Sequence, residues 1–212
     1  MHKQRIKGVY AIADSAVIGD EAFAKSVRAV INNGASVIQY RAKLANRATR
    51  LRQSTLLAEL CDQANIPLII NDDLELCQRI NAAGIHIGQN DCDLASARRQ
   101  LGADKIIGVS CYDDLSRALA AQQSGASYVA FGALFPSATK PDAVTAPLAL
   151  LREAKQSLTI PIVAIGGITM ANVQQVIDTG VDAVAVIRGI FATPNPGDIT
   201  KNMTELFGEY HA

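Results

Sequence analysis

Short apolar runs rich in β-branched residues alternate with amphipathic segments along the whole chain. The runs are almost continuously hydrophobic, which is typical of parallel strands buried on both faces. The predicted strands cover residues 7–12, 36–40, 67–71, 84–88, 106–110, 128–132, 161–166 and 182–187. The amphipathic segments predict helices over residues 20–32, 46–64, 74–82, 93–101, 113–124, 146–156, 170–179 and 197–209.

The order of these elements predicts the fold class. Four glycines are expected to stop a helix just before the next strand: Gly34, Gly84, Gly125 and Gly180. Eight strand–helix units in 212 residues favour an α/β protein with a (β/α)8 TIM barrel. A doubly wound open sheet is the alternative, but no GxGxxG motif follows the first strand. Since no linker divides the chain, we expect a single TIM-barrel domain over residues 1–212.

Composition and charge then limit the possible partners. Lys+Arg and Asp+Glu number 20 each, so no net field favours nucleic acid or an anionic membrane. The chain begins with charged residues rather than an apolar signal, and its longest apolar runs are too short for a bilayer. Its four cysteines form no CxxC pair, which indicates reduced thiols. We therefore expect a cytoplasmic protein with small-molecule substrates and no nucleic-acid or membrane partner. A homo-oligomer is compatible with the sequence.

Cationic side chains follow the second predicted strand. In a TIM barrel the active site lies at the carboxyl ends of the strands. Gln39, Arg41 and Lys43 alternate there, so strand periodicity places them on one side. Arginine and lysine are the usual side-chain ligands of phosphate oxygens. Taken alone, these residues fit a surface salt-bridge face equally well, but with the neighbouring strand ends they predict an anion site.

Carboxylates follow the next two strands. Asp72 comes directly after Asn71 at the end of strand three, and Asp91 follows strand four. Oxygen ligands from adjacent strand ends suit Mg²⁺, with phosphate oxygens and water completing the coordination. Helix capping is the alternative role, but Asp73 and Asp93 are placed to provide it. We therefore predict Asp72 and Asp91 as metal ligands and Mg²⁺ as the cofactor.

Strands seven and eight end in segments that predict a second, backbone-based phosphate site. Gly167 follows strand seven, and Ile187 and Arg188 follow strand eight, where barrels commonly bind a phosphate monoester. The alternative is that these segments form tight turns and bind no ligand. His86 lies inside strand four and is interpreted as a core residue. No nucleophile–base pair is evident, which favours chemistry that needs only stabilisation of a leaving group.

The motifs around these residues resemble thiamine-phosphate synthases in order and spacing. The matching segments are 39–43, 71–73, 84–91, 108–110, 135–140 and 165–168. The resemblance implies a (β/α)8 transferase that joins 4-amino-2-methyl-5-hydroxymethylpyrimidine diphosphate to a thiazole phosphate. The products are thiamine phosphate and diphosphate, formed through a pyrimidine cation. A carboxylated form of the thiazole phosphate is an alternative substrate.

The resemblance also implies roles for individual residues. The pyrimidine diphosphate is assigned to Gln39, Arg41, Lys43, Asn71, Ser110 and Lys140. The thiazole phosphate is assigned to Ser137, Thr139, Gly167, Ile187 and Arg188. Tyr40, Ala42 and Ala138 complete the predicted substrate-binding set, and Arg41, Ser110 and Lys140 are the predicted catalytic residues. Ser137 stands where threonine is usual in this family, and Arg188 where serine is frequent.

Three other functions are compatible with such a barrel. A thiazole tautomerase would keep the monophosphate site but would need a proton-shuttling base and no diphosphate residues. A sugar-phosphate isomerase or epimerase would need a paired acid and base at the strand ends. A non-catalytic sensor of a phosphorylated ligand would have no need for metal carboxylates.

Overall fold

The strands close into a parallel barrel in the computed structural model, which describes residues 6–88, 91–136 and 145–210. The strands are β1 (Gly8–Asp14), β2 (Val37–Arg41), β3 (Leu68–Asn71), β4 (Gly84–Ile87), β5 (Ile106–Tyr112), β6 (Tyr128–Phe131), β7 (Ile162–Ile165) and β8 (Ala183–Val186). They pair in sequence order, and β1 also pairs with β8. The predicted (β/α)8 fold is therefore confirmed, and the open-sheet alternative is wrong.

Helices surround this barrel. They are α1 (Ser15–Ile18), α2 (Asp20–Asn32), α3 (Arg47–Gln63), α4 (Leu74–Arg79), α5 (Leu94–Leu101), α6 (Leu115–Gln123), α7 (Leu148–Ser157), α8 (Val173–Ile177), α9 (Arg188–Phe191) and α10 (Pro196–Tyr210). The sequence did not predict α1 and α9, because four residues are too few to show a helical repeat. Within the described ranges, none of the helices has the length and hydrophobicity that a bilayer crossing requires.

Alternate residues of each strand face the barrel interior and the helices, as the pleat of a strand requires. The inner cluster comprises Ile6, Tyr10, Ile12, Val37, Ile69, Ile106, Tyr128, Ala130, Val163, Ala183 and Ala185. The outer and larger cluster lies between the strands and the helices and includes Tyr40, Ile38 and Phe23. Side-chain parity in each strand therefore decides whether a residue near its carboxyl end faces the interior.

The helix-stop interpretation holds for three of the four predicted glycines. Gly34, Gly125 and Gly180 have positive φ, which an L-residue rarely adopts. The interpretation of Gly84 is wrong, because Gly84 is the first residue of β4. A Cβ atom there would overlap the carbonyl of Ile106 on β5, so glycine is required by the close approach of two strands.

Candidate active site

The predicted site residues that lie within the described ranges are found at one end of the barrel, which we call the carboxyl rim. It consists of the carboxyl ends of the strands, the loops that follow them, and their side chains. The last strand residues are Asp14, Arg41, Asn71, Ile87, Tyr112, Phe131, Ile165 and Val186. Gln39 and Arg41 lie two and four residues after Val37 on β2, so their side chains face the barrel interior as Val37 does. Asn71 lies two residues after Ile69 on β3 and faces the interior in the same way. Parallel strands bring these positions to one end because all of them run in the same direction.

Arg41 is held by a carboxylate that the sequence did not predict. Its guanidinium forms an ion pair with Asp14, which lies beside it in register at the end of β1. The other oxygen of Asp14 accepts a hydrogen bond of 3.0 Å from the N–H of Ala16 and so caps α1. The Asp14 side chain is 3% exposed and that of Arg41 is 19% exposed. A buried carboxylate therefore fixes the guanidinium at the rim.

Lys43, Asp72 and Asp91 form a second charged group. The Lys43 ammonium lies 3.0 Å from a carboxylate oxygen of Asp72. Asp72 has φ of 63°, a left-handed conformation that turns the chain immediately after β3. Partial desolvation raises the pKa of Asp91, and hydrogen bonding and repulsion from Asp72 raise it further. The N–H of Gly88, 2.7 Å from Asp91, opposes this rise, as does the charge of Lys43.

The neighbouring aspartates have the capping roles that the sequence predicted. The Asp73 side chain accepts from the N–H of Leu76 at the start of α4. The Asp93 side chain accepts from the N–H of Ser96 at the start of α5. Capping therefore does not account for Asp72 and Asp91, since each helix already has its own cap.

Both the main chain and the side chain of Ser110 are held by neighbouring residues. The register between β5 and β6 shifts between Ser110 and Tyr112, as at a β-bulge. The Nε of Arg117, on α6, donates a 2.8 Å hydrogen bond to the carbonyl of Ser110. The Ser110 hydroxyl lies 2.8 Å from Nε2 of His86. His86 is buried, as predicted, but it also contacts a predicted substrate-binding residue, which the sequence did not indicate.

The segments after β7 and β8 adjoin each other. Gly166 and Gly167 both have positive φ. A Cβ atom on Gly167 would lie 2.7 Å from the main-chain oxygens of Phe135 and Pro136, so this glycine allows two loops to pack closely. A Cβ atom on Gly189 would overlap the carbonyl of Ile168. The structure therefore brings Gly167 close to the start of α9, where Ile187 is the N-cap and Arg188 is exposed.

Two predicted substrate-binding residues have side chains that face the helices. Tyr40 belongs to the outer cluster, and its hydroxyl donates to Oε1 of Gln53 at 2.9 Å. Ala42 also packs against that cluster. Any contact of these residues with a ligand at the rim would have to use the main chain. Ser137, Ala138, Thr139 and Lys140 lie outside the described residues, as do Gln89 and Asn90.

The sequence profile of the thiamine monophosphate synthase (TMP-TENI) family matches residues 9–190, which include every predicted rim residue. The chain belongs to the thiamine monophosphate synthase family. This family membership confirms the resemblance that the motifs indicated.

Individual members of the thiamine monophosphate synthase family are similar over most of their length. A thiamine-phosphate synthase of Nitrosococcus oceani is 53% identical over 186 residues, which cover 88% of this chain and 86% of that protein. A thiamine-phosphate synthase of Methylococcus capsulatus is 48% identical over 206 residues, covering 97% of this chain and 90% of that protein. A thiamine phosphate pyrophosphorylase structure from Pyrococcus furiosus superposes with a TM-score of 0.89 at 29% identity and covers 100% of both chains.

Proposed function

We propose that this protein is a thiamine-phosphate synthase. It condenses 4-amino-2-methyl-5-hydroxymethylpyrimidine diphosphate with a thiazole phosphate to give thiamine phosphate and diphosphate. The observation that carries the proposal is the convergence of Arg41 and Lys43 with Asp72 and Asp91 at one rim. Members of its family named thiamine-phosphate synthase, at 48–53% identity, favour this activity over the thiazole tautomerase.

The chemistry needs no proton transfer at the bond that changes. The C–O bond between the pyrimidine methylene and the diphosphate breaks, and its electron pair leaves with the diphosphate. The thiazole nitrogen then gives its lone pair to the methylene carbon. The protein's tasks are to stabilise the departing anion and to align the two rings. A rim of cations, amides and hydroxyls suits those tasks.

The charges of the described rim residues favour a divalent cation. Asp14 already pairs with Arg41, and among the described rim residues Lys43 is the cation that lies beside the carboxylates of Asp72 and Asp91. Within the described ranges no three His, Cys, Asp or Glu side chains form a metal cluster, so a cation held by these two carboxylates would take further oxygen ligands from substrate phosphate and water. This donor set fits Mg²⁺, which binds through one or two carboxylates together with phosphate oxygens. Bound Mg²⁺ would supply positive charge to the leaving diphosphate.

The remaining predicted substrate contacts belong to the same proposal. Arg41, Lys43 and Asn71 would hold the diphosphate, and Gln39 and Ser110 the pyrimidine part. The N–H groups near Gly167, Ile187 and Arg188 would hold the thiazole phosphate together with Ser137 and Thr139. Lys140 would belong to the pyrimidine diphosphate site.

We also propose a cytoplasmic location, because the cysteines suit a reducing compartment. All four are free thiols, and Cys61, Cys77 and Cys111 are buried. Burial raises the pKa of the Cys61 thiol to about 12 and that of Cys77 to about 11. Neither thiol is therefore a thiolate nucleophile near neutral pH.

An assay of diphosphate release tests the proposed function. With both substrates and Mg²⁺ present, we expect diphosphate and thiamine phosphate to form in equal amounts, and chelation of Mg²⁺ to stop both. Pyrimidine diphosphate alone should release diphosphate much more slowly, because no aligned thiazole nitrogen then captures the pyrimidine cation before it recombines with the diphosphate. Absence of thiamine phosphate with both substrates, or isomerisation of the thiazole without diphosphate release, would contradict the proposal.

A further inference from the structure

A chain of hydrogen bonds crosses the barrel interior from β2 to β5. Nε2 of Gln39 donates to the Tyr10 hydroxyl at 2.8 Å, and the hydroxyls of Tyr10 and Tyr128 are 2.8 Å apart. The Tyr128 hydroxyl lies 3.0 Å from Nδ1 of His86, whose Nε2 lies 2.8 Å from the Ser110 hydroxyl. This hydrogen-bond chain thus joins Gln39 to Ser110, both of which we assign to the pyrimidine substrate. The three side chains between them have no assigned contact with the substrate.

The tyrosine pair at the centre of this chain is shielded from solvent. Tyr10 is 1% exposed and Tyr128 is 0% exposed. The two rings pack edge to face with centroids 6.0 Å apart, and His86 stacks on Tyr128 at 5.6 Å. Gly108 makes this packing possible, since a Cβ atom there would overlap the Tyr128 ring. The geometry of this hydrogen-bond chain is therefore set by packing in the barrel interior.

Counting protons gives the chain a direction. Each phenol has one proton to donate. Because Tyr10 accepts from the Gln39 amide, its own proton goes to Tyr128, and the Tyr128 proton goes to Nδ1 of His86. A neutral imidazole that accepts at Nδ1 carries its proton on Nε2, which then donates to Ser110. The proton of the Ser110 hydroxyl is thus left to point into the rim.

We propose that Gln39, Tyr10, Tyr128 and His86 act as a directional relay that fixes Ser110 as a hydrogen-bond donor to the ligand. Tyr10, Tyr128 and His86 are positioning residues, since they act through Ser110. The consequence for catalysis rests on the proposed function. The direction of the relay does not rest on the proposed function, because it follows from the protein's own hydrogen bonds.

The amide of Gln39 determines that direction. If its oxygen faced Tyr10, every proton in the chain would reverse, and Ser110 would donate to His86 instead of to the ligand. A ligand that donates a hydrogen bond to the Gln39 oxygen keeps the amide nitrogen on Tyr10. The exocyclic amino group of an aminopyrimidine is such a donor. The relay therefore couples recognition of that amino group on β2 to the polarity of a hydroxyl on β5.

The tautomer of His86 reports the direction and can be measured without substrate. The full-length protein is labelled with ¹⁵N-histidine, and two-bond ¹H–¹⁵N correlations identify which ring nitrogen is protonated. The signals of His86 are those that disappear in His86→Asn. We expect an unprotonated Nδ1 and a protonated Nε2. A protonated Nδ1, or a mixture of tautomers, in the wild-type protein would overturn the proposal.

Gln39→Glu tests whether the direction comes from position 39. A carboxylate there only accepts, so the Tyr10 proton should go to it and the Tyr128 proton to Tyr10, which leaves Nδ1 of His86 as the donor to Tyr128. We expect the Nδ1–H tautomer in this variant, and an unchanged Nε2–H tautomer would overturn the relay. Tyr10→Phe combined with Gln39→Glu breaks the connection, and the Tyr128 proton then goes to Nδ1 of His86, so the Nε2–H tautomer should return. If neither variant folds, the tautomer of the wild-type protein still decides the proposal. Tyr40→Phe is the matched control, because it removes an equally buried hydroxyl on the outer face, and His86 should keep its tautomer.

A kinetic measurement connects the relay to the reaction. Adding Tyr10→Phe to Gln39→Glu should raise kcat/KM for thiamine phosphate formation about two- to tenfold, the contribution of one ordinary hydrogen bond, because it restores Ser110 as the donor. An equal kcat/KM in these two variants, despite their different tautomers, would overturn the catalytic part of the proposal. If the protein forms no thiamine phosphate at all, the proposed function fails, while the tautomer measurement still decides the relay.

Discussion

Arg41→Ala should lower kcat by about 10²–10³-fold, the usual effect of removing one preorganised donor to a developing anion. The same change should also destabilise the protein, because it leaves the buried Asp14 carboxylate without its cation. Breaking a buried ion pair in this way costs about 3 kcal/mol or more. Steady-state kinetics and urea denaturation of the purified variant measure the two effects separately.

A second substitution separates catalysis from stability. In Asp14→Asn combined with Arg41→Ala, the uncompensated charge is gone, and asparagine can still cap α1. We expect the double variant to regain most of the free energy of unfolding but not the turnover. Recovery of turnover along with stability would show that Arg41 serves only the fold.

A surface pair provides the matched control for Arg41. Arg52 lies 2.7 Å from Asp20, and both side chains are more than half exposed, at 58% and 56%. Exposed pairs of this kind contribute about 0–1 kcal/mol. Arg52→Ala should therefore change neither kcat nor the unfolding midpoint appreciably.

Asp72→Asn and Asp91→Asn should each reduce activity by about 10²-fold or more and weaken its dependence on Mg²⁺. The physical reason is the loss of a charged oxygen ligand, and a bound metal ion contributes several kcal/mol to the stabilisation of transition-state charge. Asparagine is preferred to alanine at position 72, because it tolerates the left-handed backbone there. Initial rates across a Mg²⁺ titration measure the effect.

Asp93→Asn is the control for these two variants. Asp93 lies two residues from Asp91 but caps α5, and asparagine caps a helix as well as aspartate does. We expect wild-type rates and an unchanged Mg²⁺ titration. The metal assignment would be contradicted if Asp91→Asn behaved in the same way as Asp93→Asn.

The barrel was predictable from sequence because its signals are local. Each strand is an apolar run, and the predicted strands all overlap the observed ones. The location of the residues that follow β2, β3 and β4 was predictable because strand direction alone places them at one rim. The caps at Asp73 and Asp93 were also found, since capping depends on residues only three positions away.

The residues that the sequence did not reveal depend on tertiary contacts or on a precise strand end. The first strand was predicted to end at residue 12, whereas β1 continues to Asp14, so the partner of Arg41 was missed. The alternation of side chains along a strand could have indicated that Asp14 faces the interior, as Tyr10 and Ile12 do. Tyr10 and Tyr128 are 118 residues apart and meet only because closure of the barrel brings the inward-facing side chains of β1 and β6 together. No pattern within a strand predicts such a contact.

The central claim is that separate strand ends form one site for the leaving diphosphate. A crystal structure of the protein with diphosphate and Mg²⁺ tests it most directly. We predict that the diphosphate contacts Arg41, Lys43 and Asn71, and that the metal ion bridges it to Asp72 and Asp91. Diphosphate bound elsewhere, or a metal ion without either aspartate as a ligand, would contradict the claim.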